Sequence, residues 1–254
     1  MTQTPYQTAK AIEESSLNAW PALTQILYDG WVLRFAYGYS RRNNSVNAVY
    51  NGDLPAEEKI RRSEEIFRSK QLPPTFRMTP FVQPANLDIL LAAADYEKVS
   101  PTSVQSLDLS QFDNGQNSST LEIELWEQPD ESWVSAYTQM NDVPAAKHNT
   151  LRQILAHIPL DTCFLTVLDK GQTVACGLGV SDGQYVGLFD IVTDPNRRGE
   201  GFGTGLVSSI LHWAKNRGAQ TAYLQVVVGN KPALKLYAKL GFREIYQYWY
   251  RVKA

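Results

Sequence analysis

The chain has 254 residues, 43% hydrophobic and 20% charged, with a net charge of −2. That length holds one large or two small domains with ample core. No apolar run reaches the roughly 20 residues of a membrane span, and the first residues lack the charged and apolar regions of a secretion signal, so a soluble protein with a cytoplasmic location is expected. Cys163 and Cys176 fall in neighbouring expected strands and read as small buried hydrophobes. His148, His157 and His212 are scattered without metal-ligand spacing, so no metal is expected.

In chain order, residues 7–20 read as a helix ending near Trp20-Pro21. Residues 30–36 and 42–50 read as paired strands, followed by the Asn51-Gly52 turn. Residues 57–70 form a charged helix with Ile60, Ile66 and Phe67 inward, stopped by Pro73-Pro74. A short strand at 75–78, an Ala/Leu helix at 86–94 and a strand at 99–109 follow. The polar, turn-rich stretch 108–120 suits a linker. Three segments set the expected domains: 1–112, a linker at 113–119, and 120–254.

The second segment opens with an alternating strand at 121–126 and helices at 131–140 and 145–157. A meander of strands at 164–168, 173–180 and 185–193 turns at Lys170-Gly171 and Asp182-Gly183. Next come Asp194-Pro195-Asn196-Arg197-Arg198 and the run Gly199-Glu200-Gly201-Phe202-Gly203-Thr204-Gly205. After these, Leu206, Val207, Ile210, Leu211 and Ala214 give one apolar helical face. Strand, glycine-rich turn and helix bring free backbone N–H groups and the positive end of a helix dipole together, which suits a phosphate. Neither the dinucleotide fingerprint G-x-G-x-x-G nor the P-loop pattern fits this run. The β-branched run 221–228 reads as a buried strand. Asn230 then caps a helix with Pro232 in its first turn, Ala233, Leu236, Tyr237 and Leu240 on one face, and Gly241 at its end. A last strand spans 244–252.

Arg198-Gly199-Glu200-Gly201-Phe202-Gly203 has the form R-x-x-G-x-G, and residues 230–242 have the form N-x-x-A-x-x-x-Y-x-x-x-G-F. In this order and at this separation the two motifs resemble those of the GNAT family of acetyl-CoA-dependent N-acetyltransferases. The resemblance covers about residues 120–254 and implies an α/β fold with a mixed sheet that binds acetyl-CoA. The earlier half repeats the element order faintly. Residues 91–99 align with 237–245, Leu91 replacing Tyr237 and Asp95 replacing Gly241, and no R-x-x-G-x-G precedes helix 57–70. Two GNAT-like halves in tandem are therefore expected, the first degenerate, with an unrelated α/β extension as the alternative. Some bacterial GNAT proteins carry a similar stretch to Trp31, Leu33, Arg34, Arg41, Arg42, Asn44, Ser45 and Val46.

The resemblance also implies roles. Loop residues Arg198, Gly199, Glu200, Gly201, Phe202, Gly203 and Thr204 would hold the pyrophosphate of acetyl-CoA. Main-chain groups of Ile191, Val192 and Thr193 would line the pantetheine, an N–H near Val192 polarising the acetyl carbonyl. Asn230 and Ala233 would line the other side. Tyr237, protonated at neutral pH, would be the general acid for the leaving thiolate. Asp190 is the candidate base, with a water chain or Glu200 as substitutes. Charge is uneven: residues 195–254 carry ten Lys or Arg against two acids, so the rest is acidic. That favours an anionic partner such as coenzyme A over nucleic acid, because the basic residues are not gathered on a recognition element.

The expected partners are acetyl-CoA or CoA and an unidentified amine acceptor, with no membrane and with a homodimer left open. Arg34, Arg41 and Arg42 could bind an acidic acceptor or lie on a solvated hairpin, and Tyr246, Tyr248, Trp249 and Tyr250 could shape its pocket. A non-catalytic acyl-CoA-binding or interaction module is the competing function.

Overall fold

A computed structural model describes residues 4–112 and 121–254. The expected linker at 113–119 lies outside the described residues. In chain order the elements are α1 (Pro5–Ala19), β1 (Thr24–Tyr28), β2 (Trp31–Phe35), β3 (Val46–Ala48), α2 (Ala56–Ser69), β4 (Thr75–Met78), α3 (Leu87–Ala93) and β5 (Glu97–Asp108). Then come β6 (Glu122–Trp126), α4 (Glu131–Met140), α5 (His148–Ala156), β7 (Asp161–Asp169), β8 (Gln172–Ser181), β9 (Tyr185–Thr193), α6 (Phe202–Asn216), β10 (Thr221–Val227), α7 (Lys231–Lys239) and β11 (Arg243–Val252). Strand β1 is the element missed in the sequence. Its side chains are mostly exposed, so it shows no inward-outward alternation. The expected strand at 42–50 shrinks to three residues, because Arg41–Asn43 form a short 3-10 turn.

Residues 1–19 and 104–245 make one compact unit, and residues 20–103 with 246–254 make a second. These units differ from the expected segments 1–112 and 120–254 at both ends of the chain. Helix α1 belongs to the first unit, where Ser15 Oγ donates to Asp182 Oδ2 at 2.8 Å. Its start is a reciprocal Thr4–Gln7 box, Thr4 N donating to Gln7 Oε1 at 2.9 Å and Gln7 N to Thr4 Oγ1 at 3.3 Å. Residues 104–108 of β5 fall in the first unit and residues 246–252 of β11 in the second. Each half of the chain therefore lends the end of its last strand to the other unit.

The first unit's strands run in the order β5-β10-β9-β8-β7-β6, antiparallel from β6 to β9 and parallel between β9 and β10. Its core joins Leu206, Val207, Ile210 and Leu211 of α6 to Leu165, Val167, Ala175, Val186, Leu188 and Leu224 of the sheet. Gly177 and Gly179 let α6 approach. A Cβ on Gly179 would meet Ile210 Cγ2 at 2.6 Å, and one on Gly177 would meet Ile191 Cδ1 at 2.5 Å.

The second unit's order is β1-β2-β3-β4-β11. Strands β2 and β3 are antiparallel, β3 and β4 parallel, and β4 and β11 antiparallel. Its core packs Trp31, Leu33, Phe35, Phe76 and Met78 against Phe67 of α2 and Leu87 and Leu91 of α3.

Both halves of the chain thus run antiparallel pair, helix, parallel strand, helix, last strand. The repeat reaches individual hydrogen bonds. Helix α3 ends with Tyr96 N donating to Leu91 O at 3.0 Å, and α7 with Phe242 N donating to Tyr237 O at 3.0 Å. The aligned residues Asp95 (φ +62°) and Gly241 (φ +95°) both take the left-handed conformation that closes such a helix end.

Asp88, in the first turn of α3, holds the end of β11 in place. It accepts from Trp249 Nε1 at 2.8 Å, and from Arg251 Nε at 2.8 Å and Nη2 at 3.0 Å. Arg251 first, then Trp249, hold its carboxyl below the usual carboxylate range against the opposing effect of burial. Asp88→Ala is expected to cost roughly 1–2 kcal/mol, the value for charge-assisted bonds discounted for partial exposure. Because the folded carboxyl is the stronger acid, its contribution is present above the unfolded value near ~4 and fades as pH falls through the folded one. Thermal unfolding from pH 7 to pH 3 checks this: Asp88→Asn should flatten the acid limb, and an unchanged limb contradicts the assignment.

Candidate active site

The glycine run leaves β9 through a tight turn. Asp194 accepts from Asn196 N at 2.9 Å, and Pro195–Arg197 form a 3-10 turn. Gly199 (φ +87°) and Gly201 (φ +94°) adopt conformations that side chains resist. Nothing lies within 4 Å of where a Cβ would stand on either, so the turn is open on that side. Helix α6 then starts at Phe202 with no side-chain cap and no acid in its first turn. Its first N–H groups thus follow the open turn without a side-chain cap, at the positive end of a 15-residue helix.

Of the two arginines before the run, only Arg198 is exposed. Arg197 is tied down: its Nη2 reaches Asp169 Oδ2 and Glu200 Oε2, both at 2.8 Å, and its Nε reaches Glu200 Oε1 at 2.9 Å. The guanidinium also lies 5.0 Å over the Phe202 ring. Both Glu200 oxygens are engaged, and Arg197 first holds that carboxyl below its ordinary value. A carboxylate already spent on a guanidinium is a poor proton acceptor.

Beside the run, two strands part. Parallel pairing of β9 with β10 runs from Tyr185–Thr221 to Leu188–Leu224, while β9 continues to Thr193 and β10 to Val227. At the same level β9 bulges against β8. Cys176 faces Val192 and Leu178 faces Phe189, so Asp190 and Ile191 both stand opposite Gly177. Asp190 adopts φ +50°, a left-handed conformation unusual for a side-chain-bearing residue. Ile191 turns into the core against α6, and Val192 is buried. The Asp190 charge lies near Cys176, whose thiol is pushed up by burial first and by Asp190 second. Cys163 is pushed up to about 12, also chiefly by burial. Both cysteines are buried free thiols, as expected from the sequence.

Helix α7 supplies the third wall. Asn230 Oδ1 caps it, accepting from Ala233 N at 3.3 Å. Tyr237 is 8% exposed, packs edge-on to Phe242 at 5.9 Å, and has its hydroxyl pushed up to about 12 by burial. Gly203 joins all three parts: a Cβ there would stand 3.1 Å from Thr193 Oγ1 and 3.2 Å from Leu236 Cδ1. The end of β9, the start of α6 and the residue next to Tyr237 therefore meet at one glycine.

The arginines proposed for an acidic acceptor have other work in the second unit. Arg34 is buried and donates to Trp20 O at 2.5 Å and Arg42 O at 3.3 Å. Arg41 donates to Ser100 Oγ at 3.3 Å, and Arg42 lies 5.8 Å over Trp20. Asn44 Oδ1 accepts from Ala36 N at 2.8 Å and Gly38 N at 3.0 Å, stapling the β2–β3 connection. The Arg-Arg-x-Asn-Ser stretch thus builds a loop. Tyr246, Tyr248 and Tyr250 are buried, while Trp249 packs against the second unit's core.

Sequence reasoning missed the pairing of Trp133 with Gly177. A glycine inside a strand pattern signals a bulge, but nothing local joins it to a tryptophan 44 residues away.

The family description "Probable histone acetyltransferase Rv0428c C-terminal" matches residues 8–251. The chain is 32% identical over 246 residues to the uncharacterized N-acetyltransferase YobR of Bacillus subtilis, covering 96% of this chain and 98% of that one. Among solved structures it resembles a GCN5-related N-acetyltransferase from Kribbella flavida, with a TM-score of 0.72 at 14% identity over 96% of this chain and 95% of that one. It also resembles a tandem GNAT protein from the clavulanic acid biosynthesis pathway, with a TM-score of 0.59 at 17% identity over 74% of this chain and 67% of that one. An uncapped helix start behind an R-x-x-G-x-G turn, a parted strand pair and this likeness along nearly the whole chain agree: the protein belongs to the GNAT family of acetyltransferases, within the group described by the Rv0428c C-terminal region.

Proposed function

We propose that the protein transfers an acetyl group from acetyl-CoA to a primary amine by direct attack. The observation that carries this is the open, acid-free start of α6, meeting the end of β9 and the Tyr237 turn of α7 at Gly203. Pyrophosphate would sit on the N–H groups of residues 199–204, with Arg198 adding charge. The parted strands would take the pantetheine along Ile191–Thr193, with Asn230 and Ala233 on the far side.

In the reaction the amine nitrogen attacks the thioester carbonyl carbon. The C–N bond forms and the C–S bond breaks. A main-chain N–H at the bulge, near Val192, stabilises the developing oxyanion. Tyr237, which burial keeps protonated, would hydrogen-bond the leaving sulfur and pass it a proton in step with release of the amine proton. The amine proton leaves to Asp190 or to water, and solvent returns a proton to Tyr237.

The N-terminal half is the degenerate copy in this account. The start of α2, which corresponds to α6, carries Glu57 and Glu58 in its first turn. The N–H groups of Asp53 and Leu54 ahead of it are taken by the Asp29 carboxylate at 2.9 and 3.0 Å. Anions are repelled where α6 would attract them.

Tyr237→Phe keeps the ring and removes the proton. Turnover should fall roughly ten- to a thousandfold, while acetyl-CoA affinity stays within about twofold. The wild-type rate should rise with pH as the amine deprotonates, with no alkaline limb below about pH 11. Unchanged turnover in the variant, measured by CoA release with a panel of amines, contradicts the role.

Arg197→Ala should weaken acetyl-CoA binding about three- to tenfold at low salt, because Glu200 and Asp169 are left unneutralised beside the loop. Arg197→Ala with Glu200→Gln should recover part of that loss, and calorimetry showing no recovery would point to loss of loop shape instead.

A further inference from the structure

We propose that Trp133 is a positioning residue for acetyl transfer: its indole N–H locks the β8–β9 bulge in the register that aims a main-chain N–H at the acetyl carbonyl. This rests on the function proposed above and adds a part to it that neither motif contains.

Trp133 lies on α4, completely buried, and its Nε1 donates to Gly177 O at 3.1 Å. Gly177 pairs with Leu165 of β7 on one side and faces two residues of β9 without regular pairing, because the register jumps there from Cys176–Val192 to Leu178–Phe189. In an unbroken ladder a neighbouring strand would satisfy a strand carbonyl. Here a side chain from a helix does so.

Two aromatic rings bracket the indole. Phe164 packs edge-on to it at 5.1 Å and Tyr137 stacks on it at 5.4 Å with planes 12° apart. The two residues opposite Gly177 are Asp190, with its left-handed backbone, and Ile191, whose Cδ1 fills the space of the missing Gly177 Cβ. The indole holds the carbonyl of Gly177, and the absent side chain of Gly177 admits Ile191. Together they fix the course of the chain into Val192. A bulge free to slip by one residue would turn every following N–H to the other side. Donors aimed where charge develops act only when their geometry is held in advance.

The test uses acetyl-CoA labelled with carbon-13 at the carbonyl, without an acceptor, and difference infrared spectroscopy of the bound thioester. Wild-type protein should lower the carbonyl stretch relative to free acetyl-CoA. Trp133→Phe keeps an aromatic ring and removes the N–H. It should lose about half or more of that lowering and about tenfold in turnover, with the affinity for CoA, which has no acetyl carbonyl, unchanged. A benzothienyl analogue at the same position keeps the indole's volume with sulfur in place of N–H. It should show the same losses, and it tests the inference where the Phe variant folds poorly. Tyr137→Phe, which keeps the stacked ring and removes the hydroxyl that accepts from Asn141 Nδ2 at 2.9 Å at the end of the same helix, should leave the stretch as in wild type.

A wild-type shift retained in full by both position-133 variants overturns the inference and leaves the proposed function standing. Wild-type protein that does not bind acetyl-CoA, or binds it with no shift, overturns the proposed function itself.

Discussion

A Cβ at Gly203 would stand 3.1 Å from Thr193 Oγ1 at the end of β9 and 3.2 Å from Leu236 Cδ1 of α7, so those side chains would have to give by a few tenths of an ångström. Most of the site depends on that close approach. It brings the first turn of α6 against Thr193, at the end of β9 beyond its pairing with β10. It also brings Leu236, and with it the Tyr237 turn, onto the same spot. Gly199 and Gly201 do a different job: their positive φ values let the chain turn sharply, with open space where side chains would stand. One glycine is there for packing and two for backbone conformation, and the motif R-x-x-G-x-G encodes both.

The two halves share a topology and differ at the starts of their helices. The ends of α3 and α7 share hydrogen-bond geometry down to the left-handed residue, although one has Asp95 and the other Gly241. The starts of α2 and α6 have diverged. Two glutamates and an Asp29 staple close off the first, while open glycines and no acid mark the second. The exchange of strand ends, with residues 104–108 in one unit and 246–252 in the other, means that neither half of the sequence contains a whole unit. The Asp88–Arg251–Trp249 cluster is the anchor of that exchange in the second unit.

Much of this was legible in the sequence where the signal was local. Periodicity located α6 and α7, glycines marked the phosphate-suited turn, and Asn230 announced its own cap. What escaped was non-local. Exposed side chains on both faces of β1 removed the alternation that would have revealed it. Arg34 reads as a surface charge on a hairpin until its bond to Trp20 O shows it buried. Glu200 reads as a free acid in a basic stretch, but Arg197, three residues earlier, holds both its oxygens. The assignment of strand ends to units could not be read at all, because it depends on pairings between residues more than 150 positions apart, such as Arg251 with Phe76.

The most direct measurement is a calorimetric titration of acetyl-CoA into the wild type, Gly201→Glu and Gly183→Glu. Both glycines have positive φ, +94° and +93°, and open space around the missing Cβ, so the two variants carry matched strain and charge at opposite ends of β9. Binding to the wild type and to Gly183→Glu is expected, with a loss of at least about tenfold in affinity for Gly201→Glu. Equal binding by all three, or none by the wild type, would contradict the proposed binding at the glycine run.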